Sequence, residues 1–229
     1  MTPVGSEEEW LAALEHVPKW SPPRLHTIVL APHPDDETLG AGRLIASQRS
    51  RGVPVTVMAV TDGEAAYAEA EGLGALRHAE QEAALAELGV ERRDILRLHL
   101  RDGAVAASED VLVRLLKPVV KYPGLLVAPW SRDLHPDHEA CGRAAERIAR
   151  LANVELVSDV FWTWHSAPVE SLTALPLARL ELEKPIQTAL DAALSQHRSQ
   201  LEWKNGNPIL PASLLKPAQR SFETFIINA

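Results

Sequence analysis

Three continuous apolar runs, each followed by a helical pattern, constrain this chain more than any other feature. They are Thr27 to Ala31, Val55 to Val60 and Leu125 to Ala128. Apolar runs without polar alternation are the signature of strands buried on both faces. The spacing predicts helices after them over Thr38–Arg51, Leu76–Leu88 and Glu139–Leu151, the second stopped by Gly89. Asp94–Leu98 reads as a further strand, Glu109–Val120 as a helix, Val154–Trp162 as another strand and Lys184–Gln200 as a late helix. Strand-then-helix units repeating at about 30 residues give a mostly parallel sheet with helices on both faces. The expected fold is α/β, a single Rossmann-like domain. Ahead of it, a short amphipathic pattern over Ser6–His16 and a proline-bearing stretch from Val17 to Pro23 set residues 1–24 apart as a helix and wrapping linker. The domain proper is then 25–229.

Composition narrows the function. With 46% hydrophobic and 24% charged residues the chain is globular rather than disordered. A formal charge of −8 argues against nucleic acid as a partner. The longest stretch without a charge, Asn205 to Leu215, is about half the ~20 residues of a membrane span. Glu7, Glu8 and Glu9 stand where a secretory signal would be basic and then apolar, so a cytoplasmic setting is expected. The lone Cys141 forbids an internal disulfide framework and any cysteine-based zinc cluster, and reads as a small packed residue. Gly40-Ala41-Gly42 is not a dinucleotide turn, because Ile45 replaces the third glycine and acids fill the phosphate position. The residues do not specify an oligomeric state; a homo-oligomer is compatible with them.

Parallel sheets bind ligands beyond the carboxyl ends of their strands. The first strand leads into Pro32-His33-Pro34-Asp35-Asp36-Glu37, and the fourth into Asp133-Leu134-His135-Pro136-Asp137-His138. Either turn alone could be a helix cap. Two at one sheet edge point to a metal. His33 and Asp36, three apart in a tight turn, can converge on one point, with His138 as a third donor. Two imidazoles and a carboxylate suit catalytic zinc, or alternatively Fe(II). Asp35 is then free to act as general base, and Asp137 to orient His135.

These two motifs resemble those of the LmbE-like (PIG-L) N-acetylglucosaminyl deacetylases, with Pro32 inserted before His33. The resemblance extends over about Leu25 to Gln200 through Thr61-Asp62-Gly63-Glu64, Arg77 with Glu80, Asp102-Gly103 and the late Lys184, Ala189 and His197 to Gln200. It implies a zinc-dependent hydrolase that removes acetyl from an N-acetylglucosamine-type amino sugar or its conjugate. It implies His33, Asp36 and His138 as metal ligands, and Asp35 as general base. His135 becomes the oxyanion stabiliser or acid, backed by Asp137. Arg77, Asp102 and His197 fall where family members contact substrate. A metal-dependent ester or phosphoester hydrolase and a non-catalytic sugar- or metal-binding domain are the competing readings.

Of the six tryptophans, Trp10, Trp20 and Trp203 are expected to pin irregular segments to the body. Trp130, Trp162 and Trp164 stand at strand ends, where an indole face could line a sugar cleft. His16, His26, His78, His99 and His165 have no partner at ligand spacing and read as surface or packing residues. Substrate choice is expected in the loops Asp62–Gly74, Asp102–Ser108 and Trp162–Leu182.

Overall fold

The computed structural model describes residues 3–67, 70–181, 184–202 and 207–228, so Trp203 lies outside the described residues. Seven strands form one sheet: β1 (Thr27–Ala31), β2 (Val55–Ala59), β3 (Ile95–Arg97), β4 (Leu125–Pro129), β5 (Glu155–Asp159), β6 (Leu177–Glu181) and β7 (Phe222–Asn228). Their spatial order is β3-β2-β1-β4-β5-β7-β6. The first five are parallel, and β7 runs antiparallel between β5 and β6.

The apolar runs become strands because both sheet faces are covered. Ile28, Leu30, Leu126 and Ala128 point to one side, against Leu112 and Leu116 of α4 (Glu109–Leu116) and Ala144 and Ile148 of α5 (Pro136–Ala152). Val29, Val57, Leu125 and Val127 point to the other. There they meet Leu44 and Ile45 of α2 (Asp36–Ser50), Leu85 of α3 (Leu73–Glu87) and Ala193 of α8 (Lys184–Leu194). Burial of every residue in β1 and β4 leaves no polar alternation to read.

The amino-terminal helix α1 (Glu7–Leu14) is held by a Ser6–Glu9 capping box and buries Trp10 and Leu14. The following linker runs along the sheet edge, where Trp20 N–H donates to Arg179 O and Arg179 N–H to Pro18 O. The structure corrects two expectations and adds two strands. The strand predicted to reach Trp162 ends at Asp159, and Trp162–Ser166 forms a helical turn, α6. A second short turn, α7 (Glu170–Thr173), leads into β6. The late helix stops at Leu194 and resumes as α9 (Arg198–Leu201), with His197 at the break. Finally, β6 and β7 carry no continuous apolar run, because their pairing is set by the sheet they complete.

Between β1 and β4 the connections diverge, with β2 and β3 on one side and β5 on the other. That is the topological switch point, where an open α/β sheet leaves a crevice. Both His-Pro-Asp turns open onto it.

Candidate metal centre and active site

The turn after β1 is fixed from below. Thr61, leaving β2, donates its N–H and Oγ1 to Pro32 O at 3.1 and 2.8 Å. Arg77 of α3 and Gln200 of α9 both donate to Pro34 O. Asp35 takes a φ of +145°, a strained conformation for a side-chain-bearing residue and one found where a site constrains the backbone.

In this turn His33 N–H donates to Asp36 Oδ2 at 2.8 Å, and His33 Nδ1 lies 3.0 Å from the same oxygen. From the β4 side, His138 Nε2 approaches that oxygen at 3.2 Å. His138 is fully buried, its Nδ1 is 3.0 Å from Asp133 Oδ2, and its Nε2 has no hydrogen-bond partner. A buried polar atom without a partner is costly unless something occupies its lone pair. His33, Asp36 and His138 thus present three donors close enough for one cation, and the donor set fits zinc or Fe(II). His33 with Asp102 and Asp137 forms another such group. It fits a cation less well, because oxygens of both carboxylates already accept backbone N–H groups.

The electrostatics of these side chains suit a place made for positive charge. Burial disfavours charge on both imidazoles, yet Asp102, Asp137 and Asp36 hold His33 well above its ordinary value. Asp36 and Asp133 likewise raise His138 to about 10 despite its burial. Burial works against ionised Asp36 too, but His138 and His33 keep it well below the usual carboxylate range. Asp35 goes the other way. Burial, then the charge of Asp36, lifts it to about 8 against the pull of Arg77 and His33. Two adjacent carboxylates driven apart in this way can take separate roles.

His135 stands across the site, its ring 5.2 Å from that of His33 and 5.1 Å from that of His138. The expected Asp137–His135 pair is not formed. Asp137 is fully buried, accepts N–H from Gly103 and Val105, and faces His33 Nε2 at 3.3 Å. His135 is oriented instead by Trp162, whose indole stacks on it at 5.3 Å and 15°. Burial, together with neighbouring His138 and His33, depresses the His135 pKa below its ordinary value, which favours the neutral ring.

A cleft of about 360 Å³ leads to these groups. Its lining includes Asp35, Asp102 and Arg77, and also Phe161, Trp162, Ile209 and Leu210, which pack in one apolar cluster. Arg77 is 3% exposed, donates to Gly63 O, Pro34 O and Gln200 Oε1, and lies 3.6 Å from Asp35 Oδ1. His197 does not reach the cleft. It is fully buried, with Nε2 3.1 Å from Thr38 Oγ1 and Nδ1 against Gln200. Cys141, by contrast, is packed in the core as expected.

Sequence reasoning overlooked Asp133, which is fully buried and accepts from Phe161, Trp162 and Thr163 besides facing His138. Its signal was an acid five residues before a ligand-type histidine. Ile209 and Leu210 were overlooked too, although they lie in the longest uncharged stretch of the chain.

The chain is similar to several known proteins. Residues 28–149 match the GlcNAc-PI de-N-acetylase (PIG-L) family. Among curated relatives, the probable N-acetyl-alpha-D-glucosaminyl L-malate deacetylase 2 of Bacillus subtilis is 35% identical over 133 residues, 53% of this chain and 59% of that protein. The match to this relative therefore spans less than two thirds of its length. Its Bacillus cereus namesake is 27% identical, covering 77% of this chain and 84% of that one. The diacetylchitobiose deacetylase of Thermococcus kodakarensis is 32% identical over 50% of this chain and 45% of its own. Among solved structures, a conserved protein of Thermus thermophilus shares the fold at a TM-score of 0.69 and 24% identity, covering 90% of this chain and 95% of that one. The family model and these curated relatives are named as deacetylases, hydrolases acting on N-acetyl amides. The chain belongs to the PIG-L family.

Proposed function

We propose that this chain is a zinc-dependent N-deacetylase that removes acetyl from an N-acetylglucosamine-type amino sugar or its conjugate, releasing acetate. The observation that carries the reading is the convergence of His33 Nδ1 and buried His138 Nε2 on one oxygen of Asp36, at 3.0 and 3.2 Å. His33, Asp36 and His138 would hold the metal. When bound, a zinc or Fe(II) ion supplies a Lewis acid that polarises the amide carbonyl and lowers the pKa of water toward about 7.

The chain's own groups do the rest. Asp35, at the cleft wall, takes a proton from the attacking water as its oxygen bonds to the carbonyl carbon. His135, neutral and held by Trp162, donates its N–H to the oxygen that develops negative charge. The C–N bond then breaks, and the proton held by Asp35 passes to the leaving nitrogen. Acetate and a free amino sugar result. The apolar wall of Phe161, Trp162, Ile209 and Leu210 offers area for a sugar ring and its substituent. Its partners in this reading are small molecules, and its setting is the cytoplasm.

A phosphoester reading is disfavoured, because the one arginine or lysine among the described cleft residues, Arg77, already donates to three carbonyl-type oxygens. The test is acetate and primary-amine release from N-acetylglucosamine and its glycosides, before and after removal of metal by a chelator. Equal release of the two products, abolished by chelation and restored by zinc, supports the reading. Release of neither product by the zinc-loaded chain overturns it.

A further inference from the structure

The two faces of the His33 ring do different work. Its Nδ1 faces Asp36 Oδ2, the oxygen that His138 also approaches. Its Nε2 faces away, 3.2 Å from Asp102 Oδ1 and 3.3 Å from Asp137 Oδ2. Neither carboxylate is loose. Asp137 is fully buried and receives Gly103 N–H on Oδ2 at 2.8 Å and Val105 N–H on Oδ1 at 3.0 Å. Asp102 receives Ala65 N–H on Oδ2 at 2.8 Å, and its own N–H donates to Glu64 Oε1 at 3.0 Å.

A neutral imidazole has one N–H and one lone pair. Two carboxylates at Nε2 hold the proton there, which leaves the Nδ1 lone pair for a metal. The opposite ring is built the other way round: Asp133 holds Nδ1 of His138 and leaves Nε2 open. A carboxylate behind a ligating imidazole fixes both tautomer and ring orientation.

We infer that Asp137, assisted by Asp102, is a positioning residue for His33, selecting the Nε2–H tautomer and ligation through Nδ1. The inference rests on the metal-dependent reading above. It assigns Asp137 to a different histidine from the one its sequence position suggests. It also gives the loop from Asp102 to Val105 a part in holding the metal, from a strand that contributes no ligand.

The test uses the full-length metal-free chain and its Asp137→Asn and Asp102→Asn variants. Zinc affinity is measured by competition with a chromophoric chelator, and the imidazole nitrogens of the zinc form are observed by NMR. Asparagine at 137 keeps one oxygen for the loop amides, and Asp102 stands at the cleft, so the second variant reads out even if the first folds poorly. The wild type is expected to bind one zinc, with His33 protonated at Nε2 and ligated at Nδ1. Asp137→Asn should weaken affinity by about 10- to 100-fold, and Asp102→Asn by less. The inference is overturned if both variants bind as tightly as the wild type, or if His33 ligates through Nε2. Two zinc ions per chain, one lost in either variant, would also overturn it, because the carboxylates would then be ligands themselves. A wild-type chain that binds no zinc instead brings down the metal-dependent reading itself.

Discussion

Asp133 Oδ2 lies 3.0 Å from His138 Nδ1, and both side chains are removed from solvent. The same carboxylate gathers the N–H groups of Phe161, Trp162 and Thr163 and the Thr163 hydroxyl. It therefore ties the histidine after β4 to the segment after β5 that carries the Trp162 wall. Asp133→Asn should weaken zinc binding by about 10- to 100-fold. It should also cost about 3 kcal/mol of stability, because a charged acceptor with several donors is lost. Chelator competition and urea unfolding of the metal-free chain check the two effects separately.

Asp35 and Asp36 are neighbours with opposed environments, one pushed up to about 8 and the other held low. Asp35→Asn is expected to retain zinc at one equivalent while turnover falls about 10²- to 10⁴-fold. Metal content and initial rates measured on the same preparation check this. Undiminished turnover would remove Asp35 as the base.

Much of this was legible in the sequence, for a physical reason. β1, β2 and β4 are buried on both faces at nearly every position, so their residues are almost all apolar and the pattern survives without tertiary context. The ligand-type residues were legible because turns at strand ends are where such a sheet exposes chemistry. What failed depends on contacts between distant segments. The placement of Asp137 is set by the amides of Gly103 and Val105, more than 30 positions away, rather than by His135 two residues before it. The burial of Asp133 is conferred by residues 161–163. β7 is defined by its insertion between β5 and β6, and the break at His197 by the ties from Ser199 to Glu80 and from Gln200 to Pro34.

Helix α5, which carries His138, approaches the turn after β4 through Gly142. A Cβ there would stand 2.5 Å from Ser131 N and 2.6 Å from Pro129 O, both backbone atoms that cannot swing aside. Gly142→Ala should cost about 1–3 kcal/mol, read as a lowered Tm, with weaker zinc binding as the helix is displaced. An unchanged Tm would contradict this packing.

His165 is buried with an unpartnered Nε2, and burial followed by the charge of Arg220 depresses its pKa to about 4. The sign follows from the neutral form being the folded one. Stability from this residue is full above about pH 6.5 and is lost as pH falls toward 4. Relative to His165→Phe, the wild type should lose about 2 kcal/mol between pH 8 and pH 5. Urea unfolding of both proteins at the two pH values checks it. A stability gap that does not move with pH would show that His165 is charged or hydrated in the fold.

The most direct measurement is a zinc titration of the metal-free chain, with acetate release followed over a panel of N-acetyl amino sugars and their glycosides. Hydrolysis of at least one member of the panel should rise with zinc and saturate at one equivalent per chain. Hydrolysis undiminished in the metal-free chain, or a fully loaded chain that releases no acetate from any of them, would contradict it.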